Sequence, residues 1–462
     1  MTVRKTKRGA DRTALVGSWD AIVCGASFAG LTVARELTDS GARVLVLDRY
    51  EIGERQTSAC AAPTDWLAAI GASASIRQTF DDLVFHTPYV DTRMRLPWSF
   101  STFDYPELCG LLWAQCDADF ETAKVEGRAG GTRSGGGPIA IATDRGTVEA
   151  PLVVDALGWR RVLDEGYQPP AAPLSRGLEV HPAGTGEDLE IWIERGVVPA
   201  GYAWNFPAEN ELRVGVGSFD PRFHVKEPTV ELAERLDLPL DGYQGNWIPH
   251  RLREATASGV FFCGDSAGHC IPVTAEGIRP AFYFGIACGR ELRGVVEGRS
   301  TRDEALRNYA AFNAAHRWKF EWMLRVQKLV PKVPPRALAV ALRAMSADAF
   351  VRWSFDHYMG IAQVPATQAA ASRRVASGPA TRWTQDRMVV EAGPSNPYRT
   401  IRNVPSSNST TPTTRPSVSG STSRPNAPIR SSATEAVSWP VTVAAATPPA
   451  PTALTAISAQ VT

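Results

Sequence analysis

The chain has 462 residues, 44% of them hydrophobic, which is enough for two packed units and too apolar for disorder throughout. Lys and Arg total 49 against 48 acidic residues, a formal net charge of +1 that excludes the basic footprint of a nucleic-acid binder and offers nothing to strongly acidic partners. Seven cysteines, none in a C-x-x-C pair, argue against a zinc site and suit reduced thiols in a cytoplasmic protein.

The basic start (Arg4, Lys5, Lys7, Arg8) is not followed by the apolar core of a signal peptide. No window approaches the roughly 20 apolar residues of a membrane span; even 338–350 is broken by Arg343, Ser346 and Asp348. A cytoplasmic location is expected, with peripheral membrane contact left open.

The first strong pattern is Ala21-Ile22-Val23-Cys24, then Gly25-Ala26-Ser27-Phe28-Ala29-Gly30, then Leu31, Ala34 and Leu37 at helical spacing. It predicts strand, tight turn and helix, and a second strand ending at Asp48 closes a β-α-β unit. The turn departs from G-x-G-x-x-G in carrying Ser27 at the second glycine, where a small residue is still tolerated. Gly25 permits the turn, Gly30 lets helix pack on strand, and the exposed amides with the helix dipole suit a pyrophosphate. Asp48, followed by Arg49, stands where a carboxylate accepts hydrogen bonds from ribose hydroxyls. A dinucleotide is expected here, NAD and FAD both remaining open; the plainer alternative is an ordinary strand–helix turn with a solvated Asp48.

Residues 86–120 look aromatic and irregular, with a helix over 105–120, and 130–137 form a Gly-rich turn. Runs 139–143 and 148–157 read as strands returning to the first sheet. The stretch 189–217 holds three strand-like runs with Tyr202, Trp204 and Phe206 at alternate positions, which predicts an antiparallel sheet with one aromatic face. A buried strand, Val260-Phe261-Phe262-Cys263, leads to Gly264-Asp265 and then to a helix near Pro280; helical periodicity continues to about residue 362. The six histidines other than His269 show no ligand spacing, and no G-x-S-x-G elbow supports a hydrolase.

The pairing Gly264-Asp265-Ser266-Ala267-Gly268-His269 … Glu276-Gly277-Ile278-Arg279-Pro280-Ala281 resembles the second FAD site of the flavoprotein family that includes p-hydroxybenzoate hydroxylase and geranylgeranyl reductase. The resemblance implies that Asp265 binds the ribityl chain, and that Gly264 with the Gly277 and Ile278 amides meets the flavin, where a helix N-terminus stabilises charge on its reduced form. The run Tyr202-Ala203-Trp204-Asn205-Phe206-Pro207, then Gly215-Val216-Gly217, is similar to the Y-x-W-x-F-P…G-x-G signature of geranylgeranyl reductases. It implies an apolar substrate wall, with the two glycines leaving room for close approach. Cys60 lies about where several of these reductases carry a cysteine beside the isoalloxazine ring, which makes it a candidate proton donor or positioning group; burial as a small hydrophobe is the competing reading. Val153-Val154-Asp155-Ala156-Leu157-Gly158 resembles the family's middle D-x-x-G segment. Where the family has an arginine ahead of the helix at 105, this sequence has Asp104-Tyr105.

The resemblance covers roughly residues 17–300. It implies an α/β fold: a Rossmann-like FAD-binding domain from 17–85, 138–180 and 255–300, an inserted antiparallel-sheet substrate domain from 86–137 and 181–254, and C-terminal helices over 301–375. The Ser/Thr/Pro-rich stretch 390–462 is expected to be a disordered tail. The implied activity is FAD-dependent reduction of carbon–carbon double bonds in an isoprenoid or similar apolar substrate. No second G-x-G-x-x-G module is present, so the electron donor is NAD(P)H or a ferredoxin-like protein. Two rivals stay open: an FAD-dependent monooxygenase, and a non-catalytic flavoprotein or apolar-ligand carrier.

Overall fold

Four-residue runs such as Ala21–Cys24 and Leu152–Asp155 are apolar on both faces because they lie in a parallel sheet covered on both sides. The computed structural model of the chain describes residues 5–7, 12–56, 58–130, 137–164, 174–240 and 242–363, all within the compact unit Met1–Thr381. The expected tail at 390–462, most of the Gly-rich turn and 364–375 lie outside the described residues.

The central six-stranded sheet runs Thr256–Ala257, Val260–Phe262, Leu152–Asp155, Ala21–Cys24, Val44–Asp48 and Asp119–Thr122 in spatial order, parallel except at its first pair. A small sheet of Gly17–Ser18, Gly146–Ala150, Ile139–Thr143 and Val125–Arg128 takes in two of the runs expected to rejoin the first sheet. Only Leu152–Asp155 returns to it, because the hairpin at Asp144-Arg145 pairs its two neighbours with each other.

The helices are α1 (Phe28–Glu36), α2 (Thr64–Ala69), α3 (Tyr105–Trp113), α4 (Lys226–Arg235), α5 (Ile278–Val296), α6 (Arg302–Ala315), α7 (Arg317–Leu329), α8 (Pro335–Met345) and α9 (Asp348–Met359). Helix α1 packs with α3 and α5 in the main core, where Phe28 meets Phe103, Tyr105 and Phe282 edge to face. Helix α3 is shorter than expected: it stops at Trp113, and Asp119–Thr122 becomes the edge strand beside Val44–Asp48.

An eight-stranded sheet carries the aromatic signature: Gln244–Pro249, Leu174–Val180, Glu211–Ser218, Gly201–Ala208, Leu189–Trp192, Ile76–His86, Asp91–Phe103 and Ala61–Pro63. The stretch read as irregular is in fact its long hairpin, Ile76–His86 with Asp91–Phe103. Two register shifts in that pairing spoil the alternation that would have announced it. Ile76–His86 and Leu174–Val180 therefore belong to this sheet and not to the flavin-side segments 17–85 and 138–180. Their placement depends on distant partners: Leu189–Trp192, 106 residues on from Ile76–His86, and Glu211–Ser218, 34 to 42 residues on from Leu174–Val180.

Candidate functional site

The parallel strands Ala21–Cys24, Val44–Asp48, Leu152–Asp155 and Val260–Phe262 all end at one edge, and the two glycine motifs leave from that edge. In open α/β sheets the crevice beyond the strand C-termini is where ligands bind. Gly25 turns the chain at φ +113°, and a side chain there would strike the Ala156 carbonyl. A Cβ on Gly30 would be driven into the carbonyl oxygen of Gly25. Ser27 is the N-cap of α1 and makes no capping hydrogen bond, so the first-turn amides of Phe28, Ala29 and Gly30 are not capped by its side chain. The Tyr105 hydroxyl donates to Ser27 Oγ at 3.1 Å, and Asp104 caps α3 through the Glu107 amide at 2.8 Å. The Asp104-Tyr105 departure thus has a structural role on both sides of the turn.

Asp48 accepts from the Ala26 amide at 2.8 Å and the Tyr50 amide at 3.0 Å, which aims its carboxylate at the turn. Burial nevertheless raises its pKa, the two amides opposing the shift. Arg49 lies over the Tyr50 ring at 4.9 Å. Asp155, by contrast, is fully engaged within the protein: it accepts from the Leu157 and Leu163 amides and the Ser266 hydroxyl at 2.7–2.9 Å, and so braces the second motif against the first.

Gly264 sits at φ +64° against Ala29 of α1, which brings Asp265 beside the first motif. No donor among the described residues reaches the Asp265 carboxylate, and desolvation pushes its pKa up to about 6. Gly277, the N-cap of α5, lies close to it, so the uncapped start of α5 faces the same space. His269 is buried inside this loop, accepting from the Gly264 amide at 3.1 Å, stacking on Phe284 at 3.8 Å and meeting Asn313 at 3.0 Å; burial lowers its pKa to about 3, so it is a neutral structural strut. The loop between His269 and α5 holds Val273 at φ +71° and Ala275 at φ +51°. Positive φ at a β-branched residue is a strained conformation that the surroundings must enforce, here through Gln327, which accepts from the Val273 amide at 2.8 Å.

One cavity of about 1270 Å³ joins these features. Ser27, Phe28, Ala29, Asp48, Arg49, Gly264, Asp265, Gly277 and Ile278 line it, and so do Cys60, Tyr202, Trp204, Phe206 and Gly217. Gly25, Gly30 and Gly215 stand behind the wall and shape it from there. The fit to a dinucleotide rests on the chemistry of this lining: two uncapped helix starts, an aimed Asp48 and an unpartnered Asp265.

The aromatic signature departs from its expected reading in two respects. Tyr202 is more than an apolar surface, because its hydroxyl donates to the Thr274 carbonyl at 2.6 Å and ties the sheet to the strained loop. Gly215 and Gly217 do not leave open space: the Trp204 indole lies over them, and a side chain at Gly215 would collide with that ring. Cys60 is fully buried at φ +54°, its Sγ 3.1 Å from the Ser58 carbonyl, and burial raises its thiol pKa well above the usual range, so it keeps its proton.

Two features of the site escaped sequence reasoning. One is Glu179, a nearly buried carboxylate in the Leu174–Val180 strand; its only sequence signal is one acid between Leu178 and Val180. The other is the pair Arg279–Glu276 at the start of α5, which looks like part of the glycine motif and is in fact an anchor for α9.

No family model matches the chain. A digeranylgeranylglycerophospholipid reductase of Methanocaldococcus jannaschii is 25% identical over 172 residues, 34% of this chain and 43% of the relative. The chain spans about two-fifths of the length of the curated relatives it matches. Among solved structures, a geranylgeranyl bacteriochlorophyll reductase-like protein from Thermoplasma acidophilum superposes with a TM-score of 0.63 at 16% identity, over 72% of this chain and 91% of that one. PqsL of Pseudomonas aeruginosa, described as a probable FAD-dependent monooxygenase, superposes with a TM-score of 0.53 at 18% identity, over 72% and 99%. The fold is therefore the one these flavoprotein reductases and monooxygenases share.

Proposed function

We propose that this chain, similar in sequence to geranylgeranyl reductases and built on the fold they share with FAD-dependent monooxygenases, binds FAD and reduces carbon–carbon double bonds of an isoprenoid or similar apolar substrate. The observation that carries the FAD assignment is Asp265, a carboxylate that no donor among the described residues reaches, beside the uncapped start of α5 and in one cavity with the start of α1. Ribityl hydroxyls supply the donors it lacks. The α1 amides with Ser27 take the pyrophosphate, and Asp48 takes the adenosine ribose. When bound, FAD supplies hydride chemistry.

The remaining wall of the cavity favours an apolar substrate. Leu83, Phe85, Leu96, Phe100 and Ile191 of the large sheet line it, joined by Trp204 and Phe206. Tyr202 holds the α5 loop against this wall, and the apolar side chains of the wall offer the substrate a surface with no charge beside the reacting carbons. A thiol held protonated by burial, Cys60, lies in the same wall as a donor or positioning group. The FAD content of the purified protein and its anaerobic titration with dithionite test this reading. Reduced flavin that reoxidises on addition of geranylgeranyl diphosphate supports it. Reoxidation by oxygen alone, with a hydroxylated product, moves the chain to the monooxygenases, and protein that takes up no FAD overturns the assignment.

NAD(P)H or a ferredoxin-like protein supplies the electrons, and an anionic membrane surface delivers the substrate. No helix among the described residues is long and apolar enough to cross a membrane. Helices α7–α9, however, expose Trp318, Trp322, Leu329, Val340, Phe350 and Trp353, and residues 317–352 carry eight Lys or Arg against two acids. From the same helices Val326, Leu338 and Leu342 line the cavity. Co-sedimentation with phosphatidylglycerol vesicles at low salt, lost in a Trp318→Ala, Trp322→Ala, Trp353→Ala triple variant, is the expected result. Equal binding to neutral vesicles, or self-association in place of vesicle binding, would refute the anionic surface.

A further inference from the structure

The Y-x-W-x-F-P…G-x-G signature is explained by what the Trp204 ring is placed to hold. Trp204 pairs with Gly215 across the Gly201–Ala208 and Glu211–Ser218 strands, and Gly215 pairs with Glu179 on the next strand. With no side chain at 215, the indole lies flat across the sheet and its Nε1 donates to Glu179 Oε2 at 3.1 Å. Glu179 is 4% exposed and lines the cavity together with Trp204, Gln244 and Cys60. Its other oxygen takes the Gln244 amide and lies 3.0 Å from His181 Nε2. His181 Nδ1 is 3.5 Å from Glu211 Oε1, and the Glu211 side chain is 41% exposed. Arg213, the nearby cation, bonds Glu211 at 2.9 Å and spends its Nη1 on the carbonyls of Ala59, Cys60 and Phe103, so it does not form an ion pair with Glu179.

We propose that Glu179 is the acid that protonates the substrate in the alkene reduction proposed above, and that His181 and Glu211 return its proton from the surface. The proposal rests on that reading of the function. Hydride arrives with its electron pair at one alkene carbon. The displaced π pair takes the Glu179 proton at the other carbon, leaving a carboxylate that the His181 imidazolium reprotonates; His181 recovers its proton through Glu211 from water. Net, reduced FAD loses two electrons and the alkene gains two hydrogens. Cys60 is then a positioning group: its thiol donates to the Ser58 carbonyl, the same carbonyl that Gln244 Nε2 approaches at 3.4 Å.

The test uses the full chain loaded with FAD, reduced anaerobically by dithionite and mixed with geranylgeranyl diphosphate. Glu179→Gln is expected to slow substrate-dependent reoxidation by roughly 100-fold or more, with FAD content and the dithionite step unchanged. Glu179→Asp should retain most of the rate, which also covers the case of a Gln variant that fails to fold. A second readout needs no turnover: in FAD-free protein with nitrogen-15-labelled histidine, the His181 ring-nitrogen shifts should change in Glu179→Gln, because the group 3.0 Å from its Nε2 becomes an amide. Reoxidation of the Gln variant within threefold of wild type, or His181 ring-nitrogen shifts indifferent to residue 179, overturns the relay. If wild-type protein itself is not reoxidised by the alkene, the function reading fails and the relay falls with it; a slow Gln variant beside an active wild type cannot be confused with that outcome.

Discussion

Alanine at Asp265 is expected to strip the chain of FAD while leaving it folded. Hydrogen bonds to a charged acceptor contribute about 1.5–3 kcal/mol each, so losing a single ribityl contact lowers affinity by roughly 10- to 150-fold. The folded chain without FAD should not suffer, because desolvation disfavours the wild-type carboxylate's charge and no donor among the described residues reaches it. The sign follows from its pKa, about 6 in the folded chain against about 3.9 in an unfolded one. With the folded value raised, the stability owed to this group is fully present below about pH 4 and is lost as pH rises through 6. The FAD-free Asp265→Ala protein should therefore lack that decline in a series of thermal melts. FAD affinity runs the other way in wild type, strengthening as the carboxylate ionises above pH 6, and is flat in the variant. Full flavin occupancy in purified Asp265→Ala would remove Asp265 from the site.

Replacing Arg279 with leucine is expected to be the most damaging single change to the fold around the site. Its guanidinium is fully buried and grips Glu276 with two bonds of 2.7 Å, while Nη1 donates to the carbonyls of Ala362 and Met359 at the end of α9. The Tyr358 hydroxyl donates to the same Glu276 carboxylate and meets Thr274 Oγ1 at 2.8 Å. Removing one partner of a buried pair leaves the other charge uncompensated, at a cost of about 3–5 kcal/mol. Three carbonyl and carboxylate anchors are lost with it, so α9 should detach from the start of α5. The expected outcome is a lower melting temperature together with faster proteolysis after residue 345 and weakened FAD binding. Joint replacement of Arg279 and Glu276 by apolar residues should be less harmful than Arg279→Leu alone, and a double variant that is worse would show that the pair is not the unit responsible.

Both glycine motifs were legible in sequence because their requirements are local. A turn that admits no Cβ, an apolar strand before it and a helix after it occupy neighbouring residues, and Asp48 is one β-α-β unit away. The aromatic alternation of Tyr202, Trp204 and Phe206 is legible for the same reason, since period two along a strand needs no knowledge of its partner. The segment Ile76–Phe103 was not legible, because two shifts of register break its alternation and only pairing with Leu189–Trp192 and Ala61–Pro63 defines it as sheet.

What the sequence alone determined is the local parts: two glycine turns each leading into a helix, an acidic residue for each, and a strand with aromatics at alternate positions. Tertiary structure decided the roles of the polar residues. Glu179 is an isolated acid in a strand until Gln244, Trp204 and His181 are brought to it from separate strands and from beyond its own strand's end. Arg279 is one more basic residue in a glycine motif until α9 delivers two backbone carbonyls to it. The physical reason is common to both. Burying a charged or polar group is tolerated only when its partners are supplied, and those partners come from strand register and helix packing across tens of residues, which no local pattern of residue types records.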